Sequence, residues 1–155
     1  MKRLGIFLLS FLCILGSSTP VMAADTQSAV IIETFEDGSY METIIEEIET
    51  PSAYATTHNI AGKKTNNYKD SNGNLLWSVT VTGTFTYDGT TSKCTSATVS
   101  TTCPASNWKI ASKSASKSGA TATATATAKK YLDGVCIYTL TRSVSLTCSK
   151  NGTLS

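Results

Sequence analysis

The stretch that decides the fold is Leu75-Leu-Trp-Ser-Val-Thr-Val-Thr-Gly-Thr-Phe-Thr-Tyr87. Trp77, Val79, Val81, Phe85 and Tyr87 fall on one side of it; Ser78, Thr80, Thr82, Thr84 and Thr86 fall on the other. A period of two over this length is a half-buried strand with a hydroxyl-covered outer face. Gly83 interrupts the apolar side, which predicts a bulge or a close approach of another backbone.

The same grammar continues on both sides. Asp88-Gly89 turns the chain, and Cys94 to Cys103 forms a weaker strand that Pro104 ends. Trp108 to Ser116 alternates, and Ser118-Gly119 turns again. Ala120 to Ala128 repeats Ala and Thr strictly. Threonine at every second position favours a strand over a helix, with an alanine face that lets a second layer come close. Asp133-Gly134 is followed by Val135 to Cys148, where Cys136, Tyr138, Leu140, Val144, Leu146 and Cys148 share a face broken by Arg142. Asn151-Gly152 is expected to end the ordered part.

Toward the N-terminus, Thr65 to Lys69 reads as a short strand before the Asp70–Asn74 turn, and Thr50 to Lys64 as a linker. Ser28 to Glu36 reads as a strand and Asp37-Gly38 as a hairpin turn. Residues 39–49 fit either a second strand or a helix capped by Ser39 and Glu42; the turn and the β-branched content favour the strand. The expected fold is all-β, an antiparallel β-sandwich of about six to eight strands, immunoglobulin-like in general architecture.

The first residues carry a different message. Met1-Lys-Arg is basic, Leu4 to Gly16 is almost uninterruptedly apolar, and Val21-Met-Ala-Ala24 offers small residues for cleavage. This is the three-part pattern of a secretory signal peptide, and the run is too short for a spanning helix of ~20 residues. The reading is a signal peptide over 1–23, an acidic segment and linker over 24–60, and a β-sandwich domain over 61–155. The chain is therefore expected to be secreted and to leave the membrane after cleavage.

From Ala24 onward Leu, Ile, Val and Phe number 22, against 42 Ser and Thr. So thin a core in an oxidising compartment is where disulfides help most. Cys94 and Cys103 would lie roughly 30 Å apart along one strand, and Cys136 and Cys148 roughly 40 Å apart along another. A bridge needs Cα atoms within about 7 Å, so the bridges are expected between the segments. Antiparallel neighbours give Cys94–Cys148 with Cys103–Cys136, the favoured pairing; parallel ones give Cys94–Cys136 with Cys103–Cys148. No cysteine pair has metal-site spacing, and the single histidine, His58, falls in the linker, so no metal or cofactor is expected.

No hydrolase motif is present. Asp70, Asp88 and Asp133 each sit in a turn, where turn chemistry accounts for them. The chain is read as non-catalytic. Charge is divided: residues 24–50 carry −8 and residues 51–155 carry +8. Lys109, Lys113 and Lys117 recur every four residues, which places them on one strand face as a candidate contact for a cell-wall or other anionic polymer. No aromatic residues interleave with them, which argues against nucleic acid. A second reading makes the protein a secreted antimicrobial or host-directed factor with the acidic segment as a shield over the basic domain. An enzyme with an unfamiliar site is the least favoured reading.

The runs 76–87, 108–119 and 145–152, with Phe35-Glu-Asp-Gly-Ser-Tyr40, resemble a family of small secreted proteins from Gram-positive anaerobic bacteria. The resemblance implies an exported, β-rich protein. It implies no activity and carries over no site residue.

Overall fold

A computed structural model describes residues 29–48 and 57–155. The signal peptide expected over 1–23 lies outside the described residues. The fold is all-β: β1 (Val30–Thr34), β2 (Tyr40–Ile48), β3 (His58–Lys69), β4 (Leu75–Tyr87), β5 (Ser92–Thr102), β6 (Trp108–Ser118), β7 (Thr121–Leu132) and β8 (Val135–Thr147). They form two antiparallel sheets, β1-β2-β3-β4-β5 and β6-β7-β8, stacked as a β-sandwich.

β4 spans the stretch read as decisive. Trp77, Val79, Val81 and Phe85 are fully buried; Thr80, Thr82 and Thr84 between them are half-buried on the opposite face, where Ser78 is buried as well. Ala122, Ala124, Ala126 and Ala128 of β7 are fully buried too and bring the second sheet down onto this face. Gly83 is where that approach is tightest. A Cβ there would lie 3.0 Å from the Ala122 methyl and 2.6 Å from the Phe85 ring. The close approach read from the sequence is therefore present, and the bulge falls one step later, at Thr84/Phe85.

The described part of 39–49 is a strand, since β2 (Tyr40–Ile48) pairs with β3 along its whole length. The linker expected over 50–64 is corrected in its described part. His58 to Lys64 are the first half of β3, paired residue by residue with β4. Their inward positions are Ile60, Gly62 and Lys64, and Gly62 sits opposite Gly83 beneath Leu146 and Leu154. A glycine and a lysine on the inner face erase the apolar alternation that marks a strand. His58 is accordingly a strand residue, stacked on Tyr87 at 5.2 Å.

The ordered part does not stop at Asn151-Gly152. Residues 149–153 turn back, Ser155 and Thr147 exchange two backbone hydrogen bonds, and Leu154 packs against the core. Between the sheets, the Asn66 side-chain amide donates to the Ser143 carbonyl at 3.4 Å while its oxygen accepts from Thr43.

Candidate functional site

The register of β6 on β7 decides where the lysines point. Residues directly opposite in an antiparallel pair share a face. Lys113 and Lys117 lie opposite Ala126 and Ala122, on the side that faces the other sheet; Lys109 lies opposite Lys129, on the outer side. A bulge between Ile110 and Ser112 inserts Ala111 and reverses the alternation. The single stripe expected from the four-residue spacing is therefore split, because a one-residue slip sends every later side chain to the opposite face.

The lysines still meet at one edge. β6 pairs only with β7, and Lys109, Lys113 and Lys117 are all exposed. They flank the free edge of β6 from both faces, at intervals of roughly 13 Å. Two are held in place: Lys109 lies over the Tyr131 ring at 5.3 Å, and the Lys117 ammonium donates to the Thr95 carbonyl of β5. β6, β7 and β8 contain no Asp or Glu. Their outer face is a grid of hydroxyls, in which Thr121, Thr123, Thr125 and Thr127 bond to Thr147, Ser145, Ser143 and Thr141 at 2.7–3.1 Å.

The acidic segment occupies a different place. β1 and β2 are built into the five-stranded sheet, on the side away from β5 and β6. Glu42 pairs with Lys69 at 2.6 Å, and Glu33 pairs with Arg142 at 2.8 Å. Arg142 explains the break in the apolar face of β8: its guanidinium leaves the core and reaches across to Phe35 and Glu33 on the hairpin.

The four cysteines among the described residues, Cys94, Cys103, Cys136 and Cys148, are free thiols. Cys94 and Cys148 are both buried and flank one turn. The Cys94 N–H donates to the Gly119 carbonyl at 2.8 Å, and the Cys148 N–H to the Ala120 carbonyl at 3.0 Å. Burial pushes the Cys94 thiol above its usual range, and neighbouring Cys148 adds to that push while Lys117 opposes it. Cys103 packs against the core at the end of β5, where burial raises it as well. Cys136 is exposed on β8, its thiol 3.7 Å from the Tyr138 carbonyl oxygen.

A second region was not legible as a site. Where the β1–β2 and β7–β8 turns meet, a cleft of about 410 Å³ is lined by Phe35, Asp37, Trp108, Lys130, Ile137 and Tyr138 among others. Its floor is a run of edge-on rings: Phe35–Tyr68 at 5.3 Å, Tyr68–Trp108 at 5.5 Å and Trp108–Tyr138 at 6.0 Å. The Tyr68 hydroxyl meets Ser39 Oγ at 2.8 Å, and burial raises its pKa. Asp37 accepts from the Ser39 hydroxyl and N–H, which holds its carboxyl below the ordinary range. The one sequence signal here was the interruption at Arg142.

Asp70 and Asp88 do turn work. Asp70 accepts from Asn72 and Asn74, and Asp88 from Thr90 and Thr91, which lowers both carboxyls. Asp133 takes a positive φ of 49° in the β7–β8 turn. The β3–β4 and β4–β5 turns lie at opposite ends of β4, so Asp70 and Asp88 do not converge. Among the described residues, no three His, Cys, Asp or Glu side chains gather as a metal-holding group. Comparison with protein-family models, curated proteins and solved structures yields no match.

Proposed function

We propose that the protein is a secreted, non-catalytic β-sandwich that binds an anionic polymer of a cell surface along the free edge of β6. The observation that carries this reading is the edge itself: Lys109, Lys113 and Lys117 exposed on both its faces, in a sheet whose strands hold no acidic residue. A polymer laid along the edge meets lysines from either side, so the bulge that splits the face does not divide the contact. The adjoining hydroxyl rows supply donors and acceptors for a polyol or phosphate backbone. Resemblance to small exported bacterial proteins fits this setting.

An oxidised Cys94–Cys148 bridge belongs to the same reading. Two thiols lose two protons and two electrons to a disulfide oxidant of the export compartment, and one Sγ–Sγ bond ties β5 to the end of β8. Proteolytic mapping without reductant should recover the peptides of Cys94 and Cys148 joined. Recovery of Cys94 joined to Cys103 or Cys136 refutes the bridge.

Binding is tested by co-sedimentation with isolated cell walls across a salt series. Screening has a length of about 10 Å at 0.1 M salt, so binding should weaken steeply as salt rises. The Lys113→Glu/Lys117→Glu protein should lose most binding, and Lys109→Glu part of it. Binding that ignores both salt and charge reversal refutes the proposal.

A further inference from the structure

The cleft between the β1–β2 and β7–β8 turns gathers side chains that neither the core nor the β6 edge uses. Residues opposite one another in an antiparallel pair share a face. Trp108, Lys130 and Tyr138 stand opposite in turn across β6, β7 and β8. On β7 this is the core face: Lys130 follows Ala122, Ala124, Ala126 and Ala128, all fully buried. A lysine at the end of such a row lays its stem along apolar neighbours and carries its ammonium to the nearest opening. Here that opening is the cleft, which Lys130 lines together with Trp108 and Tyr138.

The other sheet supplies Asp37, from the β1–β2 turn. Hydrogen bonds from Ser39 hold its carboxyl low, and the charge of Lys130 adds to them. Yet the two groups are not joined: the ion pairs among the described residues are Glu42–Lys69 and Glu33–Arg142. Ser39 gives both its N–H and its hydroxyl proton to Oδ1 of Asp37, which leaves Oδ2 able to accept. The Tyr68 hydroxyl therefore donates to Ser39 Oγ, whose own proton is already committed. A hydrogen-bonded chain from the floor of the cleft thus fixes Asp37 at its rim.

The lining selects among ligands. At about 410 Å³, the cleft falls within the ~300–1,000 Å³ of small-ligand sites. A wholly apolar ligand would cover Asp37 and Lys130 without giving either a partner, which is costly. An anion meets the carboxylates of Glu36 and Asp37, and a cation meets the Lys130 ammonium. A neutral sugar suits both halves of the lining. Its C–H groups carry slight positive charge and pack on the negative faces of rings. Phe35 is half-buried and Tyr138 is 43% exposed, so both rings offer such a surface. Its adjacent hydroxyls donate to a carboxylate and accept from an ammonium.

We propose that this cleft binds a neutral pyranose unit of a glycan, with Tyr138 and Phe35 as the packing surface and Asp37 and Lys130 as partners for its hydroxyls. The site is separate from the lysine edge of β6. Its ligand carries no net charge, so its binding does not follow the salt dependence expected of an anionic polymer.

The test is an NMR titration of the purified protein with cellobiose, lactose, maltose and N,N′-diacetylchitobiose at millimolar concentration. The signals followed are the two indole N–H groups and the backbone amides. At least one disaccharide should give a saturable shift at the Trp108 indole and at the amides of 35–39 and 136–138. The affinity should be the same at low and high salt, and in the Lys113→Glu/Lys117→Glu protein. Tyr138→Ala and, separately, Lys130→Met should each weaken it by about tenfold or more. Neither substitution enters the closely packed core, so the remaining amide signals should stay in place. If none of the four disaccharides gives a saturable shift, the proposal falls. Sugar binding that survives both substitutions also overturns it, because the contact then lies elsewhere. A cleft that takes free phenylalanine and no sugar is a zwitterion site, and that result overturns the assignment too.

Discussion

The two ends of this sandwich are finished by different means. At the end holding the β6–β7 turn, the closure is made of backbone and small parts. Cys94 and Cys148 hang from consecutive carbonyls, residues 149–155 fold back on β8, and Leu154 and Leu146 sit over Gly62. At the other end, beside the β7–β8 turn, large rings meet edge to edge and leave a cleft between them. Small residues let two sheets close on each other. Trp77, Trp108 and Tyr68 fill more volume per residue, and the protein offers neither indole N–H an acceptor. Each such buried donor costs on the order of 1–3 kcal/mol. Both ends carry clefts, so the difference lies in what covers the core: small residues and backbone at one end, edge-on rings at the other.

The contrast can be broken most directly at Leu146. It is fully buried at the backbone-covered end, where the packed backbone cannot collapse into a vacancy, so Leu146→Ala should cost about 2–5 kcal/mol in urea unfolding. Next in size is the proposed Cys94–Cys148 bridge. Reduction of the oxidised protein should lower stability by about 2–4 kcal/mol, with Cys136→Ser leaving that difference unchanged. A Cys136→Ser protein that lost it would move the constraint to the ring-covered end.

The ring-covered end should yield less. Glu33 and Arg142 form a two-bond contact near solvent, and a double-mutant cycle with Glu33→Gln and Arg142→Met should give a coupling of about 0.2–1 kcal/mol. The smallest effect is in acid. Asp37 at the ring-covered end and Asp88 at the backbone-covered end both have lowered carboxyl pKa values, from hydrogen bonds to Ser39 and Thr91 respectively. A lowered folded-state pKa gives stability that is present above the unfolded value of about 3.9 and is lost as pH falls through the folded value. Asp37→Asn and Asp88→Asn should each flatten the decline of stability below about pH 4. Carboxyl titrations followed by NMR should show both midpoints under the ordinary range.

Legibility followed the side chains that face the core. β4 and β7 could be read because their inner faces repeat one kind of residue, aromatic and β-branched in one, alanine in the other. The turns could be read because Asp-Gly and Ser-Gly mark them. The first half of β3 could not, since its inner face runs Ile60, Gly62, Lys64, and only its partner Gly83 explains the gap. The bulge at Ala111 left no mark in the sequence, and it alone turned a lysine stripe into a lysine edge. The cleft was hidden for a different reason: Phe35, Trp108 and Tyr138 come from three distant segments, and only the topology brings them together.

The four buried alanines of β7 also bear on how the protein meets heat and cold. A sheet that presents methyl groups to the core exposes little new apolar surface when it unfolds, whereas its threonine face was wet from the start. Newly wetted apolar surface is what raises the heat capacity of the unfolded chain, by about 12–15 cal/mol/K per residue in ordinary globular proteins. Here the increment should fall below that range. The curve of stability against temperature is then broad and shallow, and the protein loses little of its margin between a cold habitat and a warm one.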